Sequence, residues 1–243
     1  MPNPFIRKLD NFEKLLKADR EALLNASEAV ETFRARSILI QEGERPRGAY
    51  VVLKGFACRY KILGEGERQI VDFVVPGDMC DGYHFVPRGI DHSISTLSAS
   101  EIALINHRRF LAITQEFPRI ARALWYSSLI EEAILREWVA NVGRRPADMR
   151  IANLLSELFV RLTVVREAKA NAFDLPVSQI DLADATALST VHVNRILRRL
   201  REKQILTVER GSVHVRDAAR LMKFAKFNAN YLRFNQQNNK TLA

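Results

Sequence analysis

Four arginines, Arg195, Arg198, Arg199 and Arg201, stand within seven residues of one another, just after Val191, His192 and Asn194. A guanidinium group can fork onto O6 and N7 of guanine in a duplex, or onto the oxygens of a phosphate. Asparagine can pair with adenine, and an exposed valine can touch a thymine methyl. Helical spacing sets Val193, Ile196, Leu197 and Leu200 on one buried face. Val191, Asn194, Arg195 and Arg198 then share an exposed side at the N-terminal half of the helix. Such a helix fits a major groove roughly 12 Å wide. A solvated charged face is the plain alternative, and the neighbouring elements have to decide.

Those elements are short. Ser178 followed by Asp181 has the spacing of a capping box, which opens a helix running to about Thr186. Leu188 closes a turn, and Ser189 is the natural N-cap of a second helix from Thr190 to about Glu202. Ile205, Thr207 and Val208 then lead into a turn at Arg210-Gly211-Ser212, and Val213, His214 and Val215 return, a hairpin with a basic tip. Helix, turn and helix followed at once by a hairpin is a winged helix, and the order is more specific than either part. In this reading the arginines lie along phosphates and Arg195 is the base reader. Ser178, Ser189, Thr190, His192, Arg199, Arg201 and Arg210 complete the expected contacts with double-stranded DNA.

The charge distribution agrees. The net charge of the 243 residues is +9. Residues 1–143 carry 19 basic and 19 acidic groups, whereas residues 144–243 carry 18 basic and 9 acidic. The whole excess therefore sits in the half that holds the arginine cluster, as expected where one half meets an anionic partner. Two cysteines, Cys58 and Cys80, cannot make a disulfide scaffold and fit a reducing compartment. No signal peptide is recognised in the charged N-terminus, and no apolar run approaches the roughly 18 residues of a bilayer span. A cytoplasmic location away from membranes is expected.

Upstream, residues 5–30 read as short helix, with Phe12, Leu15, Leu16, Leu23 and Leu24 at helical spacing. From about 33 to 106, runs rich in β-branched and aromatic residues are punctuated by glycines at 43, 55, 64, 66 and 77. This spacing predicts an antiparallel sandwich or jelly roll, with a hairpin tip at 64–66. Pro118 suits the first turn of a long helix. Residues 120–142 contain neither glycine nor proline and would span about 34 Å. On that helix Leu124, Ser127, Glu131, Ile134 and Trp138 can share a stripe, which could lie on the sandwich or pair with its twin in a second chain. "GRRP" at 143–146 reads as a hinge. Ile151, Leu154, Leu155, Leu158 and Phe159 form the apolar face of the next helix, and 166–175 reads as loop.

"LSTVHVNRILRRL", "NVGRRPADMRIANLLSEL" and the glycine-spaced β region together resemble the Crp/Fnr family of bacterial transcription regulators. The resemblance implies an α+β chain: an N-terminal β jelly-roll sensor domain of cyclic-nucleotide-binding type over 1–117, a dimerisation helix and hinge over 118–143, a C-terminal winged helix-turn-helix over 144–225, and a tail over 226–243. It also implies a homodimer held by the 118–142 helices, a palindromic DNA site and, for an activator, RNA polymerase as a further partner. The family's base-contacting positions fall on Val191, Asn194 and Arg195. Many members carry glutamate where Val191 stands, so a thymine methyl is favoured there over a cytosine amino group. Ala187 stands where glycine is common, and a left-handed residue there would cost roughly 1 kcal/mol.

The effector is less legible. Family members that bind cyclic AMP hold its ribose with a Gly-Glu-Leu stretch and its phosphate with an Arg-Ser pair. Here Asp81-Gly82-Tyr83, next to His84, stands at the first motif, and Ile90, Asp91, His92 and Ser93 stand near the second without an arginine. Cyclic AMP would meet net negative charge, so its binding is not expected. An iron–sulfur cluster needs about four cysteine ligands, and none is expected here. His84, His92 or Cys80 could ligate haem, but lone histidines are more often surface or core groups, and haem is not expected either. Cys80 reads as a small buried apolar residue. A jelly roll can also be a metal-dependent enzyme of the cupin kind with an appended nucleic-acid-binding domain. That reading needs clustered histidines, and His84, His92 and His107 lack the spacing. No metal or catalytic residue is therefore assigned.

Overall fold

The computed structural model describes residues 3–27, 29–80, 89–169 and 171–234. They fall into two compact units, Met1–Lys61 with Asp72–Glu131, and Ile62–Val71 with Glu132–Ala243.

The first unit opens with two helices, α1 (Pro4–Phe12) and α2 (Lys17–Ala26), rather than one helical stretch. Side-chain carboxylates make the break. The Leu15 amide donates to Asp10 Oδ1 at 3.0 Å and the Leu16 amide to Asp19 Oδ2 at 2.7 Å, which offers the backbone an alternative to a continuous helix. The first strand then begins earlier than expected, at residue 29. The strands are β1 (Ala29–Phe33), β2 (Ile38–Ile40), β3 (Gly48–Lys54), β4 (Ala57–Ile62), β5 (Arg68–Val74), β6 (Ser93–Thr96) and β7 (Ser100–Asn106). They form two antiparallel sheets, β1-β7-β3 and β2-β6-β4-β5, the expected jelly-roll architecture.

Alternation along β3 and β7 decides which way each residue faces. Tyr50, Val52 and Ile102 join Ile40, Val74, Ile90 and Ile94 between the sheets. Ala49, Val51, Ala103 and Ile105 face a second core made by Phe5, Leu9, Leu23, Phe110, Ile120 and Leu124. These last residues come from α1, α2, α3 (His107–Glu116) and the start of α4 (Pro118–Arg144). Gly55 closes the β3–β4 turn at φ +78°, where a Cβ would lie 2.4 Å from the Ala99 carbonyl oxygen; only glycine fits.

Charges are buried beside these cores. Arg59 donates to Asp72 Oδ2 at 2.8 Å, Glu131 Oε2 at 3.0 Å, and the carbonyls of Cys80 and Met79 at 2.7 and 3.0 Å. Lys8 holds Asp78 at 2.9 Å and reaches Glu131 at 3.5 Å. Burial works against the Arg59 charge, but Glu131 and Asp72 outweigh it and hold its pKa above the ordinary arginine value. The guanidinium is thus a permanent cation whose carboxylate partners lie on different elements, β5 and α4.

In the second unit α4 ends at Arg144, at the expected hinge, and α5 (Ala147–Val164) buries Ile151, Leu154, Leu155, Leu158 and Phe159. Around α5 stand β8 (Ala168–Lys169), β9 (Ala172–Asp174), α6 (Gln179–Thr186), α7 (Thr190–Glu202), β10 (Leu206–Glu209), β11 (Ser212–Val215), α8 (Ala218–Ala225) and a 3-10 turn over Ala229–Leu232. Residues 166–175, expected as loop, contribute strands to the sheet β10-β11-β9-β8. "AKANAFD" lacks a strand-like alternation; β9 forms because β11 offers it an edge, at Ser212↔Asp174 and Val213↔Phe173, and β8 pairs with β9 in turn.

Glu157, 1% exposed on its side chain, ties this unit together. Its Oε1 accepts from the Trp138 indole N–H at 3.2 Å and from Arg161 at 3.1 Å, and its Oε2 accepts from the Tyr231 hydroxyl at 2.7 Å. Desolvation, with the Glu157 charge beside it, pushes the Tyr231 phenol well above its usual pKa, so it stays a donor. Removing the carboxylate takes a charge partner from Arg161, itself buried. Glu157→Ala should cost about 3–5 kcal/mol, and Tyr231→Phe about 1.5–3 kcal/mol for a bond to a charged acceptor. Urea unfolding followed by tryptophan fluorescence checks both. Wild-type midpoints would show that the three donors are incidental.

Candidate nucleic-acid interface

The expected capping box forms at α6. The Ser178 hydroxyl oxygen accepts from the Asp181 amide at 3.2 Å, and Asp181 Oδ2 accepts from the Ser178 amide at 2.8 Å. Asp181 is fully buried, which its negative charge tolerates because Arg68 donates to Oδ1 at 2.7 Å. The same guanidinium donates to Asp184 at 2.7 Å, and the Gln69 amide donates to the Asp184 carbonyl at 2.6 Å. Residues 62–71 cluster with this unit, so a segment distant in sequence fixes the start of α6. At the other end Ala187 takes the left-handed conformation, φ 50° and ψ 48°, and the Leu188 amide returns to the Ala183 carbonyl at 3.1 Å. Arg150 of α5 donates to the Thr186 carbonyl at 2.7 Å, which satisfies one of the open acceptors of the helix end. Burial lowers the Arg150 pKa below the usual arginine value.

After this turn the Ser189 hydroxyl caps α7, accepting from the His192 amide at 3.3 Å. Val193, Ile196 and Leu200 are buried, as the spacing predicts, while Leu197 is half-buried. Val191 is 79% exposed, a large amount for an apolar side chain with no solvent-facing role. Ser189, Thr190, Asn194, Arg195, Arg198, Arg199 and Arg201 are exposed and His192 half-buried. Arg198 pairs with Glu202 at 2.9 Å and Arg199 lies 3.8 Å from Asp148. Both arginines are solvent-exposed, and such pairs are weak enough to exchange for phosphates. Among the described residues Arg195 has no acidic partner within ion-pair distance, so its fork is available at the N-terminal half of the helix. Ser178 stands apart from the others: it is half-buried and its hydroxyl is committed to the cap.

β10 and β11 are joined by Arg210 and Gly211, at φ 49° and 78°. Positive φ at both central residues is the tight hairpin turn whose twist matches the strands. It places the Arg210 side chain at an exposed tip, where the Gly211 carbonyl is held by the Leu175 amide at 2.7 Å. Arg68 and Arg150, both needed to position α6, were not singled out from sequence. Each acts on a partner tens of residues away, and no local spacing signals it.

The effector-pocket candidates divide. Asp81, Gly82, Tyr83 and His84 lie outside the described residues. His92 is 8% exposed, with Nδ1 2.9 Å from Asp91. Burial lowers its pKa against the pull of Asp91. The Ser93 hydroxyl oxygen accepts from the Glu42 amide at 3.0 Å and so holds its own chain. Among the described residues no group of three or more histidine, cysteine or acidic side chains is placed to hold a metal.

The stripe expected to share a dimer contact is covered within its own chain. Leu124, Ser127, Ile134 and Trp138 are 5–8% exposed within their own chain. Leu124 packs in the helical core and the Trp138 indole is spent on Glu157. Glu131 is held by Arg59 and Lys8, with the Ser127 hydroxyl 3.5 Å away. Of the two places the spacing allows this stripe, the chain's own interior covers it. One position on, at the same spacing, Trp125, Ser128, Glu132, Leu135 and Val139 are all exposed, Trp125 by 68% and Val139 by 74%.

The chain matches two protein-family models, a Crp-like helix-turn-helix domain over residues 149–224 and a cyclic nucleotide-binding domain over residues 30–117. It is 30% identical over 176 residues to a probable transcriptional activator of Rhizobium leguminosarum bv. viciae, an alignment covering 70% of each chain. It is 28% identical over 193 residues to the nitrogen fixation regulation protein FixK of Bradyrhizobium diazoefficiens, covering 79% of this chain and 80% of the relative. The structure of FixK2 from Bradyrhizobium japonicum superposes with a TM-score of 0.71 at 24% identity, over 81% of this chain and 96% of that one. A capped two-helix reader with its wing, behind a jelly roll and a long helix, is thus shared in sequence and in fold, and the chain belongs to the Crp/Fnr family of transcription regulators.

Proposed function

We propose that this regulator binds a two-fold symmetric duplex site as a homodimer, one α7 per half-site, with its β sandwich acting as a regulatory rather than a catalytic module. The observation that carries the reading is the exposed row Val191, Asn194 and Arg195, set at the N-terminal half of a helix whose opposite face buries Val193, Ile196 and Leu200. Arg195 forks onto guanine, Asn194 reads adenine and Val191 meets a thymine methyl. Thr190, Ser189, Arg198, Arg199, Arg201 and the wing-tip Arg210 take phosphates and fix the register. The relatives named as activators support RNA polymerase as a second partner where the output is activation. The work is done in the cytoplasm, where such a duplex is found.

Dimerisation uses the outer row of α4. Trp125, Leu135 and Val139 present apolar side chains at spacings of a two-stranded helical seam, and leaving them in water would be costly. For the effector, the buried charge cluster argues against a cyclic nucleotide. Arg59 and Lys8 are already matched by Asp72, Asp78 and Glu131, so among the described residues this cluster offers a phosphate no unmatched cation.

Selection from randomised duplexes should enrich a symmetric motif. Arg195→Ala should then cost about 1–3 kcal/mol and relax the preference at one guanine. Arg198→Ala should weaken all sequences about equally and lower the salt slope by about 0.9. A wild-type motif from the first variant, or a loss at a single base from the second, would reverse the assignments. Val139→Asp should give monomers in sedimentation with an unchanged unfolding midpoint, whereas Leu124→Asp should lower the midpoint; the opposite pattern would restore the inner stripe as the contact. Saturating cyclic AMP should leave the melting temperature where it is, and a rise of several degrees would show that the pocket takes nucleotide after all.

A further inference from the structure

α8 is not used by the duplex reading. It begins at Asp217, whose carboxylate accepts from the Arg220 amide at 3.1 Å, and it buries Leu221 and Ala225. Its remaining surface, with the end of α7 and the start of β10, borders an open groove of about 310 Å³ lined by Lys203, Ile205, Arg220, Lys223 and Phe224. Ile205 is the buried floor, at 3% exposure. The Lys203 ammonium lies 5.0 Å from the centre of the Phe224 ring, and Arg220 donates to the Lys203 carbonyl at 3.1 Å. The lining thus gathers three cations over an apolar base and holds no carboxylate.

We infer that this groove docks an acidic segment of a protein partner. Its carboxylates meet Lys203, Arg220 and Lys223, and one apolar side chain covers Ile205 and Phe224. Charge complementarity favours an anion, because three like charges held over a low-dielectric base are relieved by one. The apolar floor favours a peptide over a bare phosphate chain, since a phosphodiester backbone has nothing to bury there. Geometry sets the groove apart from the base edges. Lys203 follows Val191 by twelve residues, about 18 Å along the helix axis, while a major groove is only about 8.5 Å deep. With the N-terminal half of α7 at the base edges, Lys203 stands two residues past Arg201, at the outer margin of the phosphate contacts. This last step rests on the recognition-helix reading; the charge and the floor do not.

The test is fluorescence anisotropy of the full chain with a labelled, end-blocked peptide of glutamates and aspartates around one phenylalanine. The same peptide with every acid changed to its amide serves as control. The acidic peptide should bind in low salt, and the amide control about tenfold or more weaker. Lys203→Gln with Lys223→Gln should lose about tenfold in peptide affinity, and so should Phe224→Ala, while Arg198→Gln should keep it. Affinity of the double variant for the enriched duplex should stay within about twofold of wild type. No binding of the acidic peptide, or equal binding to the double variant, would overturn the proposal. So would a duplex affinity that falls alike for all sequences with a reduced salt slope, since the groove would then be a phosphate seat. If no duplex motif is enriched, the recognition-helix reading fails on its own and the peptide arms still decide the groove. Circular dichroism of each variant separates lost docking from lost folding.

Discussion

An ionised carboxylate buried where water cannot reach it must be answered completely, and Glu157 is answered by an indole, a guanidinium and a phenol. The donors come from α4, from α5 itself and from the turn that follows α8. Because each donor answers the same buried charge from a different element, together they hold α5 in rotation and in depth. α5 is also the element whose Arg150 reaches the carbonyl end of α6 and whose apolar side chains form the core behind α6 and α7. The direction in which Val191, Asn194 and Arg195 point is therefore set from behind, by a polar contact that touches no base.

The reading face tolerates local disfavour at two points. Ala187 and Arg210 both adopt left-handed backbone, where a residue with a Cβ is worse off than glycine by about 1 kcal/mol or more. At Ala187 the surrounding bonds enforce the geometry: the Leu188 amide returns to Ala183 and Arg150 holds Thr186. At Arg210 the twist of the two-residue hairpin does so, and a cation is carried to the tip at the expense of backbone comfort. Asp181 is the complementary case. Its capping role follows from local spacing, but the cation that answers its buried charge, Arg68, arrives from elsewhere in the chain.

Local chemistry was legible and long-range chemistry was not. Ser178, Ser189, the limits of α7, the wing and the hinge near residue 145 follow from caps, periodicity and turn residues, which act over a few positions. The break between α1 and α2 escaped notice because Asp10 and Asp19 capture amides that the helical pattern would have claimed. β8 and β9 escaped because β9 becomes strand only beside β11, and β8 only beside β9. The stripe on α4 was recognised as apolar and continuous, but periodicity cannot say whether a chain or its neighbour covers it. That Arg59, Lys8 and Glu131 meet inside the first unit is invisible in sequence, since their positions are scattered over more than a hundred residues.

The two adjacent rows on α4 leave that helix little room for drift. One row, from Leu124 to Trp138, answers to its own interior, and the next, from Trp125 to Val139, is apolar enough to answer to another surface. Ion pairs such as Glu132 with Arg136 and Glu137 with Arg145 occupy part of what is left. A single-residue insertion or deletion within these turns would rotate everything beyond it by about 100°, exchanging the two rows at a stroke. Descendants of this gene should therefore accumulate length changes in loops and termini and almost none between Pro118 and Arg144, so that α4 serves as the fixed ruler against which diverged copies can be aligned.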